Sequence, residues 1–133
     1  SSIASLKDLG APLGYASSKL SLNYYSKFLA NELAKYKVRV NNIIPGNIYF
    51  EGGNWDKKIK KNPKKIKKMI KSQVPLGRFG KPNEISPVVA FYCSEHASFS
   101  HGAIIPVDGG NHLLRLPGPE SYPENTRVSG IQN

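Results

Sequence analysis

From Gly14 to about Lys37 the chain carries apolar side chains at helical spacing on two sides of one long element, a pattern that restricts its surroundings more than any other stretch. Leu22, Tyr25, Leu29, Leu33 and Tyr36 make one stripe, continuing the face that starts with Tyr15 and Lys19. Leu20, Tyr24 and Phe28 make the second. A helix with one apolar stripe lies on a protein surface, whereas a helix apolar on two sides must be covered twice. A sheet would cover one side. The other calls for a second helix, from elsewhere in the protein or from another copy.

Val38 to Ile44 is short, rich in β-branched residues and closed by Pro45-Gly46, which suits a buried parallel strand. Ala103 to Val107 reads as a further strand, and Asp108-Gly109-Gly110 as the tight turn after it. Between them lie helical patterns: Trp55 to Lys71, divided by Pro63, and a helix holding Ile85, Val88, Val89, Phe91 and Tyr92, with Cys93 as a small buried apolar residue. Strands alternating with helices indicate the α/β class and a parallel sheet. In such sheets ligands sit beyond the carboxyl ends of the strands, which puts Pro45 to Ile48 at the ligand. Ser1 to Leu13 reads as a strand end and then a loop broken by Gly10, Pro12 and Gly14.

Tyr15 and Lys19 are four residues apart, so on a helix they leave one face with their Cβ atoms roughly 5–6 Å apart. An ammonium at that separation favours a phenolate over the phenol, and a phenol so placed can trade a proton with a substrate oxygen. Taken alone, such a pair is more often an ordinary feature of a helix surface. The flanking residues decide between the two readings.

Ser2 lies thirteen residues before Tyr15, and with Tyr15-Ala16-Ser17-Ser18-Lys19 it resembles the catalytic signature of the short-chain dehydrogenase/reductase family, in particular its 3-oxoacyl reductases. Arg39 to Ile48 resembles that family's strand and cofactor-facing Pro-Gly loop, Pro75 to Glu84 its approach to the next helix, and Gly102 to Gly110 its last strand and closing turn. The resemblance covers residues 1 to 111. It implies the C-terminal part of a doubly wound, Rossmann-like parallel sheet whose N-terminal dinucleotide-binding βαβ half is absent, since no Gly-x-Gly-x-x-Gly stretch occurs. It also implies NAD or NADP as cofactor, hydride transfer between nicotinamide and a carbonyl or secondary alcohol carbon, and Tyr15 as general acid/base. Lys19 would bind the nicotinamide ribose and support Tyr15, Ser2 would orient the substrate oxygen, and Pro45, Gly46 and Ile48 would border the cofactor. Where many members carry a threonine this chain has Phe50, which makes the nicotinamide pocket more apolar. Similar members form dimers and tetramers through the helix that corresponds to residues 14–37.

Trp55 to Lys71 holds nine lysines and one acid, Asp56, a net +8 of the chain's total of +10. Trp55, Ile59, Ile66 and Ile70 keep helical spacing on one side. In the family this region, here residues 51–74, is the substrate lid, so the apolar line would face the site. The lysines read most simply as a solvated face. They also suit an anionic substrate or partner, such as a phosphopantetheine on an acidic carrier protein, coenzyme A or a phosphorylated molecule. No aromatic interleaving or recognition fold supports nucleic-acid binding.

Residues 112–133 hold Pro117, Pro119 and Pro123 with no periodicity, as expected of a mobile arm or a strap over a neighbour. One cysteine excludes an internal disulfide, the three histidines lack metal-ligand spacing, and no apolar run approaches eighteen residues; these point to a cytoplasmic protein without a metal. The competing function is a non-catalytic remnant or docking module that keeps the catalytic helix. A basic binding module built on Trp55 to Lys71 stands behind it.

Overall fold

The computed structural model describes residues 1–113, so the proposed strap lies almost wholly outside the described residues. A parallel two-stranded sheet is its centre: β1 (Asn42–Pro45) runs alongside β2 (Ile104–Val107), with Asn42 opposite Ile104 and Pro45 opposite Val107. Helix α1 (Leu13–Leu33) precedes the sheet, and α2 (Asn54–Lys61), α3 (Pro63–Gln73) and α4 (Pro82–Cys93) form the crossover between the strands. The class is α/β, with the partial parallel sheet expected. Ile44, with no exposed surface, is the centre of a small core to which Ile3, Ala30, Ile66, Ile70, Val74 and Ala97 also belong.

Four local expectations are corrected. Residues 1–13 do not hold a strand end; Ile3–Ser5 is a 3-10 turn capped by Ser2, whose hydroxyl accepts from the Ala4 amide. The strand expected from Val38 begins only at Asn42; before it, the Val40 amide donates to His101 Nδ1 and not to a strand neighbour. Arg39 donates to the carbonyls of Tyr92, Ser94 and Ser100, closing the end of α4, and Asn41 holds the Ser100 carbonyl and the Ala103 amide. Cys93 is exposed, since it lies one step round α4 from the more covered Ile85, Val88 and Tyr92.

The fourth concerns α1. Its more covered side is Ala16, Lys19, Asn23, Ser26, Leu29, Ala30 and Leu33, small or polar residues except for the two leucines at its end. Asn23 is buried and joins a chain of side-chain bonds: its amide donates to Ser5 Oγ at 2.7 Å, and Asn42 donates to Asn23 Oδ1 at 3.0 Å. Both predicted apolar stripes stay largely outside, with Leu20, Tyr24, Tyr25, Phe28 and Tyr36 each more than half exposed.

The crossover helices follow the sequence. Pro63 starts α3 at the position that has no amide to lose, and Asn62 caps it by accepting from the Lys65 amide. Asp56 near the start of α2 is buried despite its charge.

Candidate active site

The first turns of α1 carry Tyr15 and Lys19 on one side. Lys19 Nζ sits 5.5 Å from the centre of the Tyr15 ring, and the tyrosine is 46% exposed, so the phenol is open to a ligand with an ammonium beside it. The two side chains converge as the four-residue spacing requires.

The segment before α1 ties this turn to the sheet. Ser1 Oγ donates to the Lys19 carbonyl at 3.1 Å, and the Ser1 nitrogen donates to the Ile43 carbonyl of β1 at 3.0 Å. Of the three serines here, Ser1 and Ser5 commit their hydroxyl hydrogens to the carbonyls of Lys19 and Ser2. Ser2 Oγ accepts from Ala4 and, among the described residues, donates to nothing. A hydroxyl in that state has its hydrogen left for an oxygen of a bound molecule.

Beyond the carboxyl ends of the strands, Pro45-Gly46 turns the chain across β2. A Cβ on Gly46 would lie 2.6 Å from both Cα and Cβ of Asp108, so glycine here permits close packing of two segments. Next in the chain, Ile48 pairs with Gly80 across an isolated parallel bridge, while Tyr49 donates to the Gly80 carbonyl and Gly80 to that of Asn47. The amide and carbonyl of Ile48 itself have no partner among the described residues. Ile48 borders a cavity of about 230 Å³ that Val74, Leu76, Ile85, Val107 and Gly109 also line, with Arg78 and Glu84 on its wall. Ile48 reaches this cavity; Ser2, Tyr15, Lys19, Pro45 and Gly46 do not line it.

Two features of this region were not legible as site features in the sequence. Arg78 grips Glu84 through both carboxylate oxygens at 2.9 and 2.8 Å, and the Lys81 amide adds a third bond. Together they hold the Glu84 carboxyl down at about 2, the guanidinium being the larger cause. Asp108 accepts from the amides of Gly110 and His112 and from the His112 ring, fixing the turn after β2. Among the described residues no cluster of metal-binding side chains occurs, and no helix is long and apolar enough to cross a membrane.

Each pair of groups is of a kind that part of a nicotinamide riboside takes, while the two pairs do not line one cavity. An ammonium and a phenol on one helical turn suit its hydroxyls, and a free backbone amide and carbonyl at Ile48 match the donor and acceptor of a carboxamide.

The family model described as enoyl-(acyl carrier protein) reductase matches residues 1–112. The 3-oxoacyl-[acyl-carrier-protein] reductase of Aquifex aeolicus is 41% identical over 98 residues, 74% of this chain and 37% of that protein. Among solved structures, a short-chain type dehydrogenase/reductase from Mycobacterium ulcerans superposes with a TM-score of 0.76 at 30% identity, over 85% of this chain and 40% of that one. A 4-hydroxyisoleucine dehydrogenase complexed with NADH gives 0.73 at 32%, and the RhlG/NADP complex of Pseudomonas aeruginosa 0.71 at 30%, each over 84% of this chain and 44% of the other. The chain thus spans about two fifths of the length of the proteins it matches. Motifs, parallel sheet, family match and relatives coincide: the chain belongs to the short-chain dehydrogenase/reductase family.

Proposed function

We propose that this chain carries the proton-transfer half of an NAD- or NADP-dependent oxidoreductase that interconverts a carbonyl and a secondary alcohol. The observation that carries the reading is the exposed Tyr15 phenol with the Lys19 ammonium beside it, on a helical turn tied by Ser1 to strand β1. When bound, the nicotinamide supplies or accepts the hydride. Tyr15 gives its proton to the substrate oxygen in the reductive direction and takes it back in the oxidative one. Lys19 stabilises the negative charge that Tyr15 bears in between and donates to the ribose hydroxyls. Ser2 directs its uncommitted hydroxyl hydrogen at the same substrate oxygen as charge builds there. Ile48 holds the carboxamide through its free amide and carbonyl, with Pro45 and Gly46 shaping the turn that presents it.

The substrate is anionic or carrier-linked. Eight of the nine lysines between Trp55 and Lys71 have no carboxylate within ion-pair distance among the described residues. Lys64, Lys67, Lys68 and Lys71 lie on the outer side of α3, away from Ile66 and Ile70. Such a face draws a negatively charged carrier toward the lid by long-range attraction that salt weakens. The uncovered stripes of α1, Leu20, Tyr24 and Phe28 above all, support a homodimer or homotetramer built on that helix.

The test follows nicotinamide absorbance in the complete gene product with NADH or NADPH and a ketone presented free, on coenzyme A or on an acidic carrier. Turnover with one cofactor, best with the charged carriers and weakened by salt, is expected. A folded protein that neither binds nor turns over either cofactor refutes the reading in favour of a docking module.

A further inference from the structure

The buried carboxylate of Asp56 accepts three donors: Tyr49 Oη at 3.1 Å on one oxygen, and the Gly52 amide at 3.0 Å with Lys60 Nζ at 2.8 Å on the other. Two of these three are local to α2. The Gly52 amide precedes the helix and Lys60 is one turn along it, so together they do what any acid in a first turn does, closing the helix start.

The third bond is different. Tyr49 belongs to the segment beside β1, where its own amide is tied to the Gly80 carbonyl and its neighbour Ile48 bridges to Gly80. Its ring lies 6.2 Å from that of Phe79, and the Trp55 ring of α2 lies 5.3 Å from Phe79. Beside the Trp55–Phe79 contact, the hydroxyl-to-carboxylate bond joins the basic helix pair to the residue next to Ile48. Gly52, at φ +75°, and Gly53, covered by the Phe50 ring, lie between the two anchored ends. Without the Tyr49 bond the chain between them can hinge at glycine.

Building on the oxidoreductase reading, we infer that Asp56 and Tyr49 are positioning residues: their hydrogen bond sets where the lid formed by α2 and α3 stands relative to Ile48. Neither touches a reacting atom. The bond places the lid over the site when substrate binds, and its loss is read in substrate affinity before it is read in chemistry.

The discriminating variant is Tyr49→Phe, because it deletes the joining bond and leaves the Gly52 and Lys60 bonds that hold the helix start. Asp56→Asn is its companion. In the complete gene product Tyr49→Phe is expected to raise KM for the carrier-linked substrate roughly threefold to tenfold, the worth of one hydrogen bond, with kcat within about twofold. Amide exchange of residues 54–73 should quicken, while that of residues 13–33 is unchanged. An unaltered KM together with unaltered exchange in Tyr49→Phe overturns the inference and leaves Asp56 as a helix cap. If the parent protein shows no turnover, the oxidoreductase reading fails on its own, and the exchange of residues 54–73 still decides the Tyr49 bond.

Discussion

Gly46→Ala separates two reasons a glycine can follow the strand proline. Its added Cβ would meet Asp108 Cα and Cβ at 2.6 Å and the Asp108 carbonyl oxygen at 3.1 Å. Carbon atoms rest about 3.5–4.0 Å apart, so the turn must yield by close to 1 Å against backbone, which cannot rotate away as a side-chain tip would. Overpacking of this kind costs about 1–3 kcal/mol. Because Asp108 also orders the Gly110 and His112 amides, the displaced segment is the turn after β2 that borders the cavity beside Ile48. The assay is equilibrium denaturation of parent and variant, with Gly14→Ala as the control, since a Cβ there meets nothing within 4 Å. Gly46→Ala should lower the midpoint, and Gly14→Ala should leave it equal or raise it by up to about 0.5 kcal/mol through helix propensity. A Gly46→Ala protein as stable as its parent would refute the packing explanation.

Arg39→Ala removes the guanidinium that donates to the carbonyls at the end of α4 and to that of Ser100, and should destabilise by about 2 kcal/mol; thermal melts that coincide with the parent would contradict this. For Glu84 the folded carboxyl titrates at about 2, well below its ordinary value of about 4.3. Its contribution is therefore complete above the ordinary value and is lost as pH falls through the folded one. Melting temperatures measured from pH 6 down to about 2 should fall less steeply below about 4.5 in Glu84→Gln than in the parent, and parallel acid limbs would refute it. Charge reversal at Lys64 and Lys68 should lower kcat/KM for an acidic carrier-linked ketone and flatten its salt dependence, while leaving a free ketone unaffected; equal losses on both would show that the lysines serve folding.

The parts of this fold that announce themselves in sequence are those governed by local chemistry. Pro63 could only start or break a helix, and it starts α3. The four-residue spacing of Tyr15 and Lys19 leaves them no option on a helix but to converge. Asp108-Gly109-Gly110 turns because glycine accepts positive φ. What the sequence concealed depends on which partners meet. Hydrophobic periodicity pointed one stripe of α1 at the sheet and the other at a second helix, yet the sheet side is held by Asn23, Ser26 and Asn42, whose polar groups pair with one another and with Ser1 and Ser5. Similarly, nothing local to Val38 or Arg39 says that the arginine will be spent on the end of α4 instead of a strand ladder. Asp56 looked like the lone acid in a basic run; its burial and its bond to Tyr49 appear only once α2 is laid beside that loop.

The central claim is that Tyr15 exchanges the proton with the substrate oxygen, and single-turnover hydride transfer by Tyr15→Phe in the complete gene product tests it most directly. Removing one hydroxyl from an exposed position should leave cofactor affinity within a few-fold of the parent and slow the transfer by about 10²- to 10⁴-fold. Transfer at the parent's rate, with the phenol gone, would contradict the account.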